Sequence, residues 1–305
     1  MVKNENFIMQ AKGSKTLQEL NLTDDFLFDV ATEELENCKA IIELTTGLRL
    51  KSLKWKSGQT VIHNLPGKRG VRLDFIAESE DGRIFDVEMQ NRNEGNIPKR
   101  TIFYQALIDA PILKSGERGF DKMNPLYIII ICNYDPYGKK KYCYTFDNQC
   151  KEVPGLRLGD EVTKLLLSTK GENEEEVPKE LVDFLHYVTE SNENGLPDEC
   201  DERLKRLHES IREIKASADM EVEYMKMEER ERIIRDEGVE FGKQIGIING
   251  KIEAVLELLE DKGEVPEKVK TEIFAETDLE VLKKWLRLAA KSKTIEEFCK
   301  AIDNY

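Results

Sequence analysis

The chain has 305 residues, of which 40% are hydrophobic and 35% charged, and its formal net charge is −14. This composition is typical of a folded globular protein and excludes a disordered or collagen-like chain. The longest apolar run, Leu126 to Cys132, is too short to cross a bilayer, which requires about 20 apolar residues. The N-terminal residues lack the apolar core of a secretion signal, so we expect a soluble cytoplasmic protein with no membrane partner.

The negative net charge and the cysteines limit which partners and which kinds of site the protein can have. Phosphate backbones attract lysine and arginine, so a nucleic-acid partner requires that the excess acid lie away from the binding face. Such a separation is effective because salt screens charges over about 10 Å. The six cysteines contain no Cys-x-x-Cys pair, which favours reduced thiols over a disulfide framework or a zinc site.

The first half of the chain mixes helix and strand patterns. Thr23 is a candidate N-cap of a helix that runs to about Gly47, a residue type that commonly ends helices. Pro98 in a first turn predicts a second helix, from Asn96 to about Ala110. Strands that alternate with helices predict an α/β fold with a central sheet over residues 15–170. The predicted strands are residues 59–64, 71–78, 83–90, 126–133 and 142–146.

The second half is helical in pattern. An acidic, polar linker or surface loop covers residues 171–178, and a long charged helical stretch follows from about 198 to 235. Two or three short helices, divided at Gly263 to Pro266 and near Asp278, form the end of the chain. We therefore predict a linker and charged helical segment over residues 171–250 and a small helical unit over residues 251–305.

Four glycines recur every four residues in this half, which places them on one face of a helix: Gly238, Gly242, Gly246 and Gly250. Each glycine costs about 1 kcal/mol relative to alanine in a helix, so the row requires a reason. Either a partner helix approaches closely at this face, or the segment is a flexible hinge.

A hairpin carries the clearest chemical signal. Asp81-Gly82 predicts a turn between two alternating strands. Asp86, Glu88 and Gln90 then point to one face, where they are either simply solvated or part of a site. A three-residue loop over 80–82 places Asp74 opposite Glu88 on that face, whereas a two-residue loop places it on the other. The functional interpretation therefore requires a left-handed Gly82 or an odd-length loop.

In that register the carboxylates of Asp74 and Glu88 lie about 5 Å apart and repel each other. Mg²⁺ is the natural counter-ion, because it takes oxygen ligands and retains waters for chemistry. The backbone carbonyl of Met89 is a further candidate ligand. The spacing alone is weak evidence for a metal site.

Asp74 with Glu88-Met-Gln90, after a helix with Asp25-Phe-Leu-Phe28, resembles the PD-(D/E)XK nuclease superfamily. More narrowly it resembles the Rpn family of recombination-promoting nucleases and transposases, which have Glu-x-Gln where the superfamily usually has Glu-x-Lys. Arg100 and Tyr104, one turn apart in the next helix, agree with this resemblance. So do Leu156-Arg-Leu-Gly-Asp160 and the segments Leu282-Lys-Lys-Trp285 and Thr294-Ile-Glu-Glu-Phe298. The family often has lysine at the position of Asp29, which weakens one expected phosphate contact.

The resemblance implies a restriction-endonuclease-like core, a mixed sheet flanked by helices, followed by an all-helical C-terminal region. It also implies a Mg²⁺-dependent DNA endonuclease, with Mn²⁺ as a substitute ion. Asp74, Glu88 and the Met89 carbonyl would be metal ligands, and Gln90 would hold the attacking water or a phosphate oxygen. Arg100 would supply the cation that lysine provides elsewhere, and Asp25 would hold the metal's water shell. The candidate DNA contacts are Lys99, Arg100, Tyr104, Arg72, Lys68 and Arg69, of which the last three are equally compatible with a surface loop.

Several alternatives remain open at this stage. One is a catalytically inactive, nuclease-like interaction protein, and another is a structure-specific or RNA-directed nuclease. A link to recombination or mobile elements rests on the family name alone. Lys139 to Lys141, with Tyr142 and Tyr144, either follow a DNA backbone or form a solvated turn, and the turn is favoured. We expect a homo-oligomer formed through the C-terminal helices.

Overall fold

The computed structural model describes residues 15–58, 61–62, 71–110 and 119–302. The chain divides into two compact units, Met1–Tyr224 and Met225–Tyr305. The first unit contains the sheet and the acidic hairpin, and the second contains only helices in its described part. The predicted limits at residues 170 and 250 stay predictions.

A mixed six-stranded sheet forms the centre of the first unit. The strands described in this unit are β1 (Leu53–Gly58), β2 (Val61–Ile62), β3 (Val71–Arg72), β4 (Phe75–Ser79), β5 (Ile84–Gln90), β6 (Leu126–Cys132), β7 (Cys143–Phe146) and β8 (Val162–Ser168). The strand order of the sheet is β1-β4-β5-β6-β8-β7. β5, β6 and β8 are parallel to one another, and the other neighbouring pairs are antiparallel. β2 and β3 form a separate antiparallel pair.

Four of the predicted strands are confirmed, with a break at Leu73 and Asp74 that divides the segment 71–78. Of the segment 59–64, only Val61–Ile62 belongs to the described residues, where it forms β2. β1 and β8 were missed. β8 reads Val-Thr-Lys-Leu-Leu-Leu-Ser, and such a short apolar run fits a buried helix as well as a strand.

Helices cover both faces of the sheet. α3 (Ile97–Asp109) packs Ile97, Tyr104 and Ile108 against apolar residues of β5 and β6. On the opposite face, the ring of Phe28 lies 6.5 Å from that of Phe75. The other helices of this unit are α1 (Asp25–Ala31), α2 (Leu35–Thr46), α4 (Lys179–Thr189) and α5 (Glu202–Ala216), and α2 contacts both α4 and α5.

The single helix predicted from Thr23 to Gly47 is wrong, because it is two helices that meet near Thr32. The Thr32 hydroxyl donates to the carbonyl of Phe28 at 2.7 Å, and the Asn37 amide donates to that of Ala31 at 2.8 Å. These side chains satisfy backbone carbonyls at the end of α1 and so stabilise the break. The predicted stop at Gly47 is confirmed, with a left-handed φ of 72°.

The second unit is organised around the C-terminal part of a long helix. α6 (Ala218–Glu260) has 43 residues and runs without a break through the four spaced glycines. α7 (Glu267–Ala275), α8 (Leu279–Lys291) and α9 (Ile295–Ile302) follow, so the predicted divisions near Gly263 and Asp278 are confirmed. Among the described residues, no helix combines the length and apolar character that a bilayer crossing requires.

Candidate active site

The turn of the acidic hairpin sets the register of its two strands. Gly82 is left-handed, with φ of 84°, and the Ser79 N–H donates to the Arg83 carbonyl at 2.9 Å. Phe75 pairs with Val87 and Glu78 with Ile84. The register therefore places residue 74 opposite residue 88, as the three-residue loop predicts. Glycine suits this turn because the left-handed region is strained for other residues.

Backbone hydrogen bonds fix the carboxylates of Asp74 and Glu88 in position. The Asp74 N–H donates to Oε1 of Glu88 at 3.1 Å, and the Met89 N–H donates to Oδ2 of Asp74 at 2.8 Å. Each carboxylate thus accepts from the backbone beside the other. The break between β3 and β4 permits this exchange, because Asp74 lies outside both strands.

The acids of β5 are buried, which excludes the interpretation that they are simply solvated. The side chain of Asp86 is 0% exposed and that of Glu88 is 4% exposed. Among the described residues, neither carboxylate oxygen of Asp86 has a hydrogen-bond partner. Burial, followed by the repulsion from Asp74, raises the pKa of Asp86 well above its usual value. Burial and the negative charges of Asp86 and Asp74 do the same to the pKa of Glu88.

The sequence pattern placed Asp86 on the face of Glu88 and Gln90 but gave it no role at the site. Its position in β5 places it on the same face as Glu88, and its cross-strand neighbours are Ile76 and Ile128. A buried, unpaired carboxylate among isoleucines is costly for folding. The period-two alternation of β5 did indicate this position, because it places Asp86 on the face that α3 covers. A buried acid on such a face is expected to have a functional role.

A cation from α3 lies at the end of the acidic face. Nη1 of Arg100 donates to Oε1 of Gln90, and Nε of Arg100 donates to the Tyr104 hydroxyl at 2.8 Å. Burial lowers the pKa of Arg100, but the hydrogen bond to Tyr104 and the charges of Tyr104, Glu88 and Glu94 outweigh it and raise that pKa. Arg100 therefore carries a permanent positive charge near the carboxylates of Glu88 and Glu94.

Asp25 reaches the same edge of the sheet through Asn91, the residue after β5. The Asn91 amide donates to the Thr23 carbonyl and to Oδ1 of Asp25 at 3.4 Å. Asp25 is exposed, and it is the first residue of α1. The structure thus brings Asp25 to the end of the strand that carries Glu88 and Gln90.

The candidate DNA contacts differ in their exposure, and some of them lie outside the described residues. Lys99 is exposed on the first turn of α3, next to Arg100. Tyr104 is only 2% exposed, so its ring is not accessible to DNA. Its hydroxyl accepts a hydrogen bond from Arg100 instead. Only the backbone of Arg72 is described, as part of β3. Lys68 and Arg69 lie outside the described residues.

The lysine run after β6 fits a solvated turn. Lys140 pairs with Glu172 at 2.8 Å, and Lys141 pairs with Glu176 at 2.6 Å. Tyr142 is 2% exposed and therefore unsuited to stacking with a base. Acidic neighbours thus neutralise much of the positive charge of this segment.

The donor set suits a hard divalent cation, although the ligands are not already gathered around one point. Within the described ranges, no group of three or more histidine, cysteine or acidic side chains is close enough to hold a metal ion. The buried acids nevertheless offer only oxygen ligands, and those of Asp86 have no hydrogen-bond partner in the described part of the chain. Their mutual repulsion is relieved by a cation, and carboxylate oxygens are the ligands that Mg²⁺ prefers.

A mixed sheet with an acidic central hairpin, flanked by helices and followed by an all-helical region, defines a PD-(D/E)XK nuclease-like α/β protein. The family model described as PD-(D/E)XK nuclease family transposase matches residues 57–241, more than half of the chain. The chain belongs to this family. No curated protein and no solved structure matches it.

Proposed function

We propose that the chain is a divalent-metal-dependent endonuclease that hydrolyses phosphodiester bonds in DNA. The observation that carries this proposal is the pair Asp74 and Glu88, in which Glu88 accepts a hydrogen bond from the Asp74 N–H and Asp74 accepts one from the Met89 N–H. Membership of a nuclease family supports it. Mutual fixation by backbone groups preorganises the two acids.

Asp74, Glu88 and the carbonyl of Met89 are the groups that would hold the ion, with Mg²⁺ as the proposed metal and Mn²⁺ as its substitute. When bound, such an ion supplies an activated water and neutralises charge on the scissile phosphate. The chain's own contribution is a group of carboxylates of which Asp86 and Glu88 are buried. Asp86 adds to their negative charge, so the site favours a cation over a neutral ligand.

Arg100 would stabilise the negative charge that develops on the phosphate. Gln90 has no charge of its own, and its amide oxygen is occupied by Arg100. Tyr104 holds the guanidinium from the other side, so two partners fix its direction. A fixed cation that needs no reorganisation is the most effective form of electrostatic stabilisation. Gln90 would thus act as a positioning residue for Arg100.

DNA would approach along the edge where β5 ends and α3 begins. Lys99 is exposed beside Arg100 there, and Asp25 lies at the same edge through its contact with Asn91. Asp25 would orient water around the ion, since an exposed carboxylate accepts hydrogen bonds from water. A role in the movement of genetic elements is part of the proposal and is supported by the word transposase in the family's description. A role in recombination is also part of the proposal.

One observation favours a second candidate function, a nuclease-like protein that binds partners without cleaving DNA. Within the described residues, the acids do not form a ready-made metal cluster. A core that keeps its acids buried but never closes around an ion would have this arrangement. The two functions differ in whether divalent ions bind at Asp74 and Glu88.

The deciding experiment is cleavage of supercoiled plasmid, single-stranded DNA and RNA with Mg²⁺, Mn²⁺ or Ca²⁺. Asp74→Asn and Glu88→Gln keep shape and remove charge, and we expect each to lower the cleavage rate on the order of a hundredfold or more. Glu78→Gln is the matched control, because this acid is on the same hairpin but pairs with Lys54 at 3.0 Å.

Wild-type cleavage that is lost in EDTA and in both site variants, and kept in Glu78→Gln, supports the endonuclease. Cleavage of RNA alone would correct the substrate to RNA. No cleavage of any substrate, together with no divalent-ion binding by calorimetry, would overturn the proposal and favour the non-catalytic function.

A further inference from the structure

The face of the sheet that carries Asp86 and Glu88 continues across β6 and β8 to the edge strand β7. The register aligns Glu88 with Tyr144 through β6 and β8, and it aligns Asp86 with Phe146 in the same way. Residues aligned across neighbouring strands point to the same face of a sheet. α3 covers β5 and β6 on this face, whereas Phe146 on β7 is 42% exposed. The acids and the open edge strand therefore belong to one continuous face.

Three aromatic side chains gather at this edge. Tyr137, in the loop after β6, lies against two side chains of β7. Its ring centroid is 5.0 Å from that of Tyr144 and 5.5 Å from that of Phe146. Tyr137 is 40% exposed, so it and Phe146 both present ring surface to solvent. We call Tyr137, Tyr144 and Phe146 the edge aromatic cluster. Grouped exposed apolar side chains of this kind mark a binding surface.

Hydrogen bonds to Asp135 hold the cluster in place. Its Oδ1 accepts from the Tyr144 hydroxyl at 2.7 Å and from the Tyr137 N–H at 3.0 Å. Its Oδ2 accepts from the Lys140 N–H at 2.6 Å. Rings on a fixed backbone lose little conformational freedom when a ligand binds. The cluster is therefore preorganised for a flat, apolar ligand surface.

The charges beside the cluster suit a ligand that carries phosphates. Lys164 pairs with Phe146 in the register and lies on the same face, and Lys139 is exposed in the loop that holds Tyr137. In the part of the chain that the structure describes, neither lysine makes an ion pair, in contrast to the two lysines that follow Lys139. Cations beside exposed aromatic rings are the combination that binds single-stranded nucleic acid, because phosphates need positive charge and bases need flat apolar surfaces.

We propose that the edge aromatic cluster stacks unpaired bases of the DNA strand whose backbone passes through the candidate active site. The inference rests on the proposed function and adds a preference for DNA with a single-stranded segment beside the cleaved bond. Tyr144 lies three strand spacings from Glu88, or about 14 Å at about 4.8 Å per spacing. About four stacked nucleotides span this distance, at about 3.4 Å each. The stacked bases and the cleaved bond thus lie within one short stretch of a strand.

A duplex does not fit the edge aromatic cluster as a single strand does. Paired bases stack on each other and present only their edges in the grooves, whereas unpaired bases can be splayed out onto aromatic rings. Contacts to a duplex backbone require cations and gain nothing from exposed rings. Tyr137 and Phe146 therefore discriminate between single-stranded and double-stranded DNA.

The test is fluorescence anisotropy of labelled oligonucleotides with the full chain in EDTA, where binding is measured without cleavage. The probes are an oligothymidylate of about 20 nucleotides, the same strand with abasic sites in its central part, an oligouridylate and a blunt duplex. Tyr137→Ala and Phe146→Ala should each weaken binding of the oligothymidylate at least about fivefold, the low end of the loss expected for one stacked base. Both variants should bind the duplex as the wild type does.

Two control variants and the abasic probe separate stacking from a folding defect. Phe274→Ala removes a phenylalanine of the second unit that is 62% exposed, and it should leave binding of all probes unchanged. Tyr137→Phe keeps the ring and should bind the oligothymidylate as the wild type does. The abasic probe keeps the phosphates and lacks the bases, so a folded variant should bind it with wild-type affinity. A misfolded variant would lose affinity for every probe.

Losses confined to probes with unpaired bases support the inference, and stronger binding of the oligouridylate would assign the strand to RNA. Equal losses on the abasic probe, or a wild type that binds the abasic and base-containing strands equally, would overturn the inference and favour a protein partner for the exposed rings. Plasmid cleavage, measured separately, distinguishes the two proposals. A chain that cleaves DNA without any effect of the rings overturns only the stacking site, and one that stacks bases but cleaves nothing supports the stacking site and overturns the nuclease.

Discussion

The backbone N–H of Met89 donates a 2.8 Å hydrogen bond to Oδ2 of Asp74. This contact joins the residue before β4 to the C-terminal end of β5. It depends on the register of the hairpin that the two strands form. A shift of one residue would move Asp74 to the opposite face of the sheet. The position of Asp74 in the candidate site therefore depends on the turn at Gly82, which sets the register.

Gly82→Ala should destabilise the hairpin and lower cleavage. The substitution places a side chain at φ of 84°, where a Cβ would also lie 3.2 Å from Nδ2 of Asn124. A left-handed alanine costs about 1–2 kcal/mol, measurable by urea unfolding. Gly155→Ala is the control, because Gly155 has φ of 82° and open space around it. Loss of activity in both variants alike would contradict a specific role for the hairpin register.

Stability without divalent ions should fall as the pH rises from about 4 towards neutrality. Burial raises the pKa of Asp86 above 3.8 and that of Glu88 above 4.5, so the folded state retains protons that the unfolded state has lost. Stability is then complete below the unfolded pKa and is lost as the pH rises through the folded pKa. Urea unfolding at a series of pH values in EDTA measures this slope.

Asp86→Asn tests the origin of that slope. The amide has no charge to bury, so the variant should be more stable than the wild type at neutral pH and its stability should depend less on pH. Glu280→Gln is a suitable control, since hydrogen bonding to Lys283 lowers the pKa of that exposed acid. An Asp86→Asn protein that is less stable at pH 7.5 in EDTA would show that the carboxylate has a stabilising partner.

Divalent ions should stabilise the folded protein at neutral pH, because they bind the native acids and not the unfolded chain. An ion at one hundred times its dissociation constant adds about 2.7 kcal/mol to the free energy of unfolding. Thermal unfolding with and without Mg²⁺ or Mn²⁺ measures the effect. Asp74→Asn should remove most of the increase, while Glu78→Gln should keep it. Equal increases in all three proteins would place the ion elsewhere.

Sequence patterns predicted the acidic hairpin better than they predicted the elements around it. The Asp81-Gly82 turn and period-two alternation are local signals, and they placed Glu88 and Gln90 on one face of β5. They left the face of Asp74 open between a two-residue and a three-residue loop, and the structure has the register of the three-residue loop. The break at Thr32 was missed because it depends on side chains from two turns meeting backbone carbonyls. The burial of Tyr104 was missed for a similar reason, since it depends on how α3 packs on β6, which no local pattern specifies.

Arg100 places a fixed cation at the end of the acidic face, between Gln90 and Tyr104. Arg100→Gln removes the fixed positive charge and should lower the cleavage rate on the order of a hundredfold, as loss of a single electrostatic donor does elsewhere. Gln90→Lys alone places a second cation against Arg100, whose Nη1 now bonds to the Gln90 side chain. It should therefore not raise activity.

The double variant Arg100→Gln with Gln90→Lys returns one positive charge to the site from β5 in place of α3. We expect it to recover at least about tenfold of the rate lost in Arg100→Gln, because the phosphate requires a cation more than it requires a particular side chain. Tyr104→Phe should cost less than Arg100→Gln, since it removes one of two partners that direct the guanidinium. A double variant no faster than Arg100→Gln, with Mg²⁺ binding unchanged by calorimetry, would mean that Arg100 acts through the geometry of α3 and not through its charge.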